Sequence, residues 1–145
     1  MVDVSGKTPT LREARAQAFV ACAAPIMEAL TDDAVPKGDV LAVARIAGIA
    51  AAKRTADLLP LAHPLNIDAV EVHLSLMEGG VRVQSTVRAL ERTGVEMEAL
   101  TVAAVAALAL VDMVKGVDRG VSIEYCEILS KSGGRSGTWR RTDAH

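Results

Sequence analysis

Asp112 and Lys115 stand three residues apart at the end of an apolar run, residues 100–111, so on a helix both side chains leave one face. A carboxylate and an amine set together at the margin of apolar packing have the parts of an acid–base pair, because burial and mutual charge can retune both. The spacing fits an ordinary i,i+3 ion pair near a helix C-terminus equally well. Other polar or conformationally special residues interrupt apolar or turn-like stretches in the same way: Lys37-Gly38-Asp39, Ala62-His63-Pro64 and Ser132-Gly133-Gly134, with Glu96 and Glu98 opening the run that ends at Asp112. A fold that gathers these residues would have a site for proton transfer on an anionic ligand.

Each residue also has a plainer reading. Lys37 precedes a helix start, where a cation opposes the positive end of the dipole; it is either an exposed loop lysine or, with nearby amides, a ligand for an anion such as phosphate. His63 lies between Pro60 and Pro64 and is either presented by a rigid loop or bonded to backbone in the core, while His73 on an alternating segment reads as a surface residue. Lys53 and Arg54 are solvated or reach an anion. The stretch Lys131-Ser132-Gly133-Gly134-Arg135-Ser136-Gly137 has the composition of an anion-binding loop, but it is no G-x-x-x-x-G-K-[ST] motif and precedes no helix. Dinucleotide fingerprints, nucleophile elbows and H-E-x-x-H pairs are absent.

The elements that must position these residues follow from periodicity. Residues 12–20 alternate Ala14, Ala16, Ala18 and Val20 as a strand does, although Ala, Glu and Arg favour helix and Thr10 with Glu13 could form a capping box. Pro25 opens a short helix to about Leu30. Asp39 is a natural N-cap for a helix reaching about Leu59, with Pro60 as its stop. Residues 70–77 and 81–87 alternate around Glu78-Gly79-Gly80, a β-hairpin. A helix spans about 96–115 with Gly116 as its stop, and a last strand runs from Val121 to about Leu129. If residues 12–20 are a strand, the order is β-α-β-β-α-β: an α+β, ferredoxin-like fold whose antiparallel sheet carries helices on one face. Residues 1–129 read as one domain and residues 130–145 as a flexible C-terminal tail.

Composition narrows the class. With 145 residues there is room for one core, and 50% hydrophobic but only 2% aromatic residues means a core of Ala, Val, Leu and Ile. Few large anchors and an almost uniformly apolar helix leave surface to bury against another subunit. A net charge of −2 and three aromatic residues, Phe19, Tyr125 and Trp139, supply neither a basic stripe nor a stacking platform, which disfavours nucleic-acid binding. Cys22 and Cys126 lack metal-ligand spacing and read as two free buried thiols. No signal-peptide pattern opens the sequence, and residues 102–111 are shorter than a membrane span. A cytoplasmic setting is expected.

Several motifs occur in a family order: Lys37-Gly38-Asp39-Val40, Ala44-Arg45-Ile46-Ala47-Gly48, Ala51-Ala52-Lys53-Arg54-Thr55, Leu61-Ala62-His63-Pro64-Leu65, the run from Thr93 to Thr101, Asp112-Met113 and Lys131-Ser132-Gly133-Gly134. Over residues 1–137 the sequence resembles the cyclic pyranopterin monophosphate synthase family, the molybdenum-cofactor biosynthesis protein C family. The resemblance implies a lyase that converts 3′,8-cyclo-7,8-dihydroguanosine 5′-triphosphate to cyclic pyranopterin monophosphate and pyrophosphate by general acid–base catalysis, with no cofactor and no metal. It implies Asp112 and Lys115 as the central acid–base pair and Lys37 as a further catalytic lysine. Substrate binding would fall to Leu61, Ala62, His63, Met97 and Glu98, with Arg12 holding phosphate and Lys131 on the tail loop. It also implies a homohexamer, a trimer of dimers with sites at subunit interfaces, and no nucleic-acid or membrane partner. Ala62 stands for a common cysteine, Arg92 for a lysine and Val111 for an aromatic residue, and the sequence opens late in the family pattern, at Met1-Val2-Asp3-Val4. The competing reading is a non-catalytic nucleotide-sensing ferredoxin-like module.

Overall fold

A computed structural model describes all of residues 1–145. Its elements are β1 (Thr10–Cys22), α1 (Ala24–Thr31), α2 (Val40–Ala52), α3 (Thr55–Leu58), β2 (Ala69–Met77), β3 (Gly80–Glu91), α4 (Glu96–Val114), β4 (Val121–Ser132) and β5 (Trp139–Arg140). The sheet order is β2-β3-β1-β4-β5 with every neighbouring pair antiparallel. With β5 set aside as an added edge, this is the ferredoxin-like arrangement.

The 12–20 segment resolves as the central part of β1, paired on both sides. Ala14, Ala16, Ala18 and Val20 are fully buried, and in a strand they share one face. Small side chains there let α4 lie close to the sheet. Tertiary pairing on two edges outweighs the helix propensity of alanine. On β3, Val81, Val83 and Val87 fill the same layer, and the buried Ser85 hydroxyl donates to the Ala99 carbonyl of α4 at 2.8 Å, so a polar group in the core has its partner. The helices α2 and α4 meet where Gly48 faces Val102 and Ala106.

Two element boundaries and the form of one helix stop differ from the sequence reading. The helix expected from Asp39 to Leu59 stops at Ala52, and α3 is a separate turn. The Arg54 amide donates to Ala51 O at 3.0 Å in a tighter turn, and Thr55 Oγ1 donates to the carbonyls of Ala51 and Ala52, which ends the ladder. The N-cap is as expected: the Asp39 side chain accepts from the Ala42 amide at 2.9 Å. At the end of α4, Gly116 does not take the left-handed conformation; the helix closes by a tighter turn in which the Val117 amide donates to Val114 O at 2.8 Å. The last strand continues beyond Leu129 to Ser132, and residues 139–140 return to pair with Ser130 and Lys131.

By length and composition the 19-residue α4 could cross a membrane, unlike the shorter run seen in the sequence. It lies instead on the sheet with ten residues buried, among them Val102, Ala106 and Leu110. Val43 and Ile46 on α2 and Leu108 on α4 remain exposed. Cys22 is buried, but Cys126 is exposed, correcting the expectation of two buried thiols.

Candidate functional site

At the C-terminal end of α4, Asp112 is held between two ammonium groups. Lys115 Nζ donates to Oδ1 at 2.5 Å and Lys37 Nζ donates to Oδ2 at 2.9 Å. Lys37 also donates to the Asp112 backbone carbonyl at 2.9 Å, so it serves the electron-rich helix end. Its place before α2, misplaced for that helix, is well placed for α4. The anion that Lys37 meets is the Asp112 carboxylate.

All three side chains are about half exposed, at 47%, 55% and 58% for Lys37, Asp112 and Lys115. Burial does not retune Asp112; the bonds from Lys115 and then Lys37 do, holding its carboxyl down at about 2. The stability this gives is complete above the ordinary value of 3.8 and disappears as the pH falls through about 2. Carboxyl ¹³C titration of Asp112 is expected to show a midpoint near 2, and a midpoint near 4 would mean that the two lysines do not engage it in solution.

The other candidates gather at the opposite end of α4. A cavity of about 380 Å³ is lined by Leu61, Ala62, His63, Met97 and Glu98, joined by Val4 and Leu65. Glu98 is only 4% exposed, and burial raises its carboxyl above the ordinary 4.5, helped by the Glu96 charge. Ala62 contributes a methyl group, its amide being committed to Leu59 O at 3.1 Å.

Lys7, Thr93 and Gly94 are shared with a second cavity of about 710 Å³, whose lining holds no hydrophobic side chain. Four cations face it: Lys7, Arg12, Lys131 and Arg135, against one carboxylate, Glu96. Arg12 is fixed by donating from Nε to Glu91 O and from Nη2 to Arg92 O, each at 3.2 Å. Lys131 Nζ lies 3.4 Å from Glu96 and donates to Ser136 Oγ at 2.6 Å. The loop after β4 folds directly over Arg12. Gly133 and Gly134 have φ of +93° and +75°, and a Cβ on Gly134 would overlap the Arg12 guanidinium. The Ser-Gly-Gly stretch thus has a steric reason.

An apolar hollow with a buried acid beside a basic polar hollow suits a ligand with a flat ring system and a polyanionic arm. Lys7 and Arg135 were not among the candidates read from the sequence. Arg135 lies in a Gly/Ser-rich loop already suspected of binding anions, whereas nothing periodic marks Lys7. Lys53 and Arg54 are exposed and line neither cavity. In one protomer the two groups of candidates do not meet: Met97 and Asp112 are fifteen residues apart on α4, about 22 Å along its axis.

A family model described as MoaC family matches residues 1–134. The chain belongs to the MoaC family. Among similar proteins, the cyclic pyranopterin monophosphate synthase of Streptomyces coelicolor is 54% identical over 142 residues, covering 98% of this chain and 84% of that protein. Those of Geotalea uraniireducens and Geobacter sulfurreducens are each 55% identical over 145 residues, covering 99% of this chain and 91% of theirs. In this MoaC family chain the side-chain contacts that hold Asp112 come from Lys37 and Lys115.

Proposed function

We propose that the chain forms cyclic pyranopterin monophosphate from 3′,8-cyclo-7,8-dihydroguanosine 5′-triphosphate with release of pyrophosphate, at sites each shared between two protomers. The reading is carried by one observation: a lysine–aspartate–lysine cluster occupies one end of α4, and an apolar cavity beside a basic one occupies the other. Ring opening and reclosure on a purine-derived substrate move protons between nitrogen and oxygen atoms, and a triphosphate needs cations. One protomer offers the first requirement at Lys37, Asp112 and Lys115. Its partner offers the second at Arg12 and Lys131, with Leu61, Ala62, His63, Met97 and Glu98 around the ring system.

In this reading Asp112 enters as a carboxylate and orients the two ammonium groups beside it. Lys115 and Asp112 form the central acid–base pair and Lys37 is a further catalytic lysine. The cations of the basic cavity bind the leaving pyrophosphate in its charged form, which lowers the barrier to its departure. Close association of identical chains as a homohexamer, a trimer of dimers, would also cover Val43, Ile46 and Leu108. A cytoplasmic setting and a tail loop that contacts substrate belong to the same reading. Purified protein incubated with the cyclised triphosphate should release pyrophosphate and the pterin product. Binding without turnover would instead leave a nucleotide-sensing module, a reading against which the relatives' shared name as synthases counts.

A further inference from the structure

Residues 139–145 do not contribute to either cavity, yet they are held more tightly than a solvated tail requires. Cys126 Sγ turns toward the Leu100 carbonyl of α4, so alternation along β4 directs Glu127 to the other face of the sheet. There the Glu127 side chain is only 9% exposed. Its Oε1 accepts from Gln17 Nε2 at 2.8 Å and from the His145 amide at 3.1 Å. Its Oε2 lies 3.1 Å from His145 Nδ1 and 3.5 Å from Arg141 Nε. Arg141 is tied twice more, from Nε to Ile128 O at 2.8 Å and from its amide to Leu129 O at 2.9 Å. The His145 ring stacks on Tyr125 with centroids 4.5 Å apart.

Residues 133–138 join β4 to β5, and from them Gly134, Arg135 and Ser136 enter the wall of the basic cavity. Within that loop the bonds are few: Lys131 Nζ to Ser136 Oγ, and the Gly137 amide to Gly134 O at 3.2 Å. Two of its residues are glycines in the left-handed region beside Arg12, and Gly137 is a third with φ of +63°. A loop so rich in glycine is ordered chiefly by the fixing of its two ends. One end is the β4 strand itself. The other is β5, only two residues long, followed at once by the contacts to Glu127.

We propose that Glu127 is a positioning residue for the reaction: through Arg141 and His145 it fixes the far end of the 133–138 loop and so keeps Arg135 and Ser136 at the basic cavity. The inference rests on the reaction proposed above and adds to it a residue that touches no substrate. An anchor of this kind acts on the fraction of protein whose loop is ready to receive the anionic arm. If its loss lowers that fraction to about one tenth, apparent affinity falls about tenfold. The acid–base groups at the other end of α4 are untouched, so kcat stays near its original value.

Glu127→Ala tests this by steady-state kinetics together with hydrogen exchange read by mass spectrometry. KM is expected to rise about tenfold with kcat within about twofold. Amide protection should be lost over residues 133–145 and kept in α4 and β1. Because Glu127→Ala takes one partner each from Gln17 and Arg141, leaving them the His145 and Ile128 carbonyls, and could disturb the sheet, His145→Ala is the second variant. It removes the ring stack and the Nδ1 contact from an exposed residue and should move KM and protection in the same direction by a smaller factor. The double variant should be no worse than Glu127→Ala alone, since both act through one anchor. Wild-type KM in either variant, unchanged protection of the loop, or a fall in kcat at constant KM would each overturn the inference. An inactive wild type would instead remove the reaction itself, and the two failures are distinguished by that control.

Discussion

Lys115→Ala is expected to lower kcat by about 10²–10⁴-fold, the range for loss of a positioned proton-transfer group, with the fold and the affinity for the triphosphate retained. The side chain is 58% exposed and its ammonium bonds only Asp112, so its removal opens no core cavity and leaves no buried group unpaired. What remains is Asp112 with Lys37 alone, still anionic but without the donor that faces it at 2.5 Å. Asp112→Asn should fall in the same range for a different reason: both ammonium groups lose the charge that orients them. The double variant should be hardly worse than either single one, because the residues act as a unit. Stopped assays for pyrophosphate and pterin, with circular dichroism as the control on folding, measure this. Normal turnover by Lys115→Ala would remove the pair from the mechanism.

Gly134→Ala should produce the second large effect, on kcat/KM. The position has φ of +75°, and an added methyl group would overlap the guanidinium of Arg12. Backbone strain of this kind costs about 1–3 kcal/mol, which is roughly 5- to 150-fold in an equilibrium. Displacement of Arg12 from the Glu91 and Arg92 carbonyls adds to it. Gly137→Ala separates the two causes, since Gly137 has a φ of +63° but open space around its Cα. Gly134→Ala should weaken substrate binding well beyond Gly137→Ala. Equal effects would mean that loop strain alone matters and that Arg12 does not depend on the close approach of the loop.

The order of strands and long helices could be read from alternation and caps, since the hairpin around Glu78-Gly79 and the N-cap at Asp39 carry unambiguous local signals. Residues 12–20 could not be typed by propensity, because alanine at the helix-facing positions reflects the close approach of α4, a tertiary cause. The break at Lys53-Arg54 depends on a Thr55 hydroxyl turning back to two carbonyls, and β5 depends on a return of the tail; neither has a periodic signature. At the site, the i,i+3 spacing of Asp112 and Lys115 was legible from the sequence. The contact of Asp112 with Lys37 bridges 75 residues and exists only in the fold. Resemblance to a family supplied His63, Met97, Glu98, Arg12 and Lys131 as a set, and the cavities gather those five. That set left out Lys7, which no periodic signal marks, and Arg135, which lies in the Gly/Ser-rich loop; both line the cavity that Arg12 lines.

Shared sites are tested most directly by mixing two inactive variants damaged at opposite ends of α4, Lys115→Ala and His63→Ala. When co-expressed at equal levels, random pairing should leave about one quarter of the sites with both halves intact, since each site draws one half from each chain. Activity should therefore return to about one quarter of the wild-type value per site, above that of either variant alone. Mixed oligomers, verified by mass spectrometry, that stay as inactive as their parents would contradict the account.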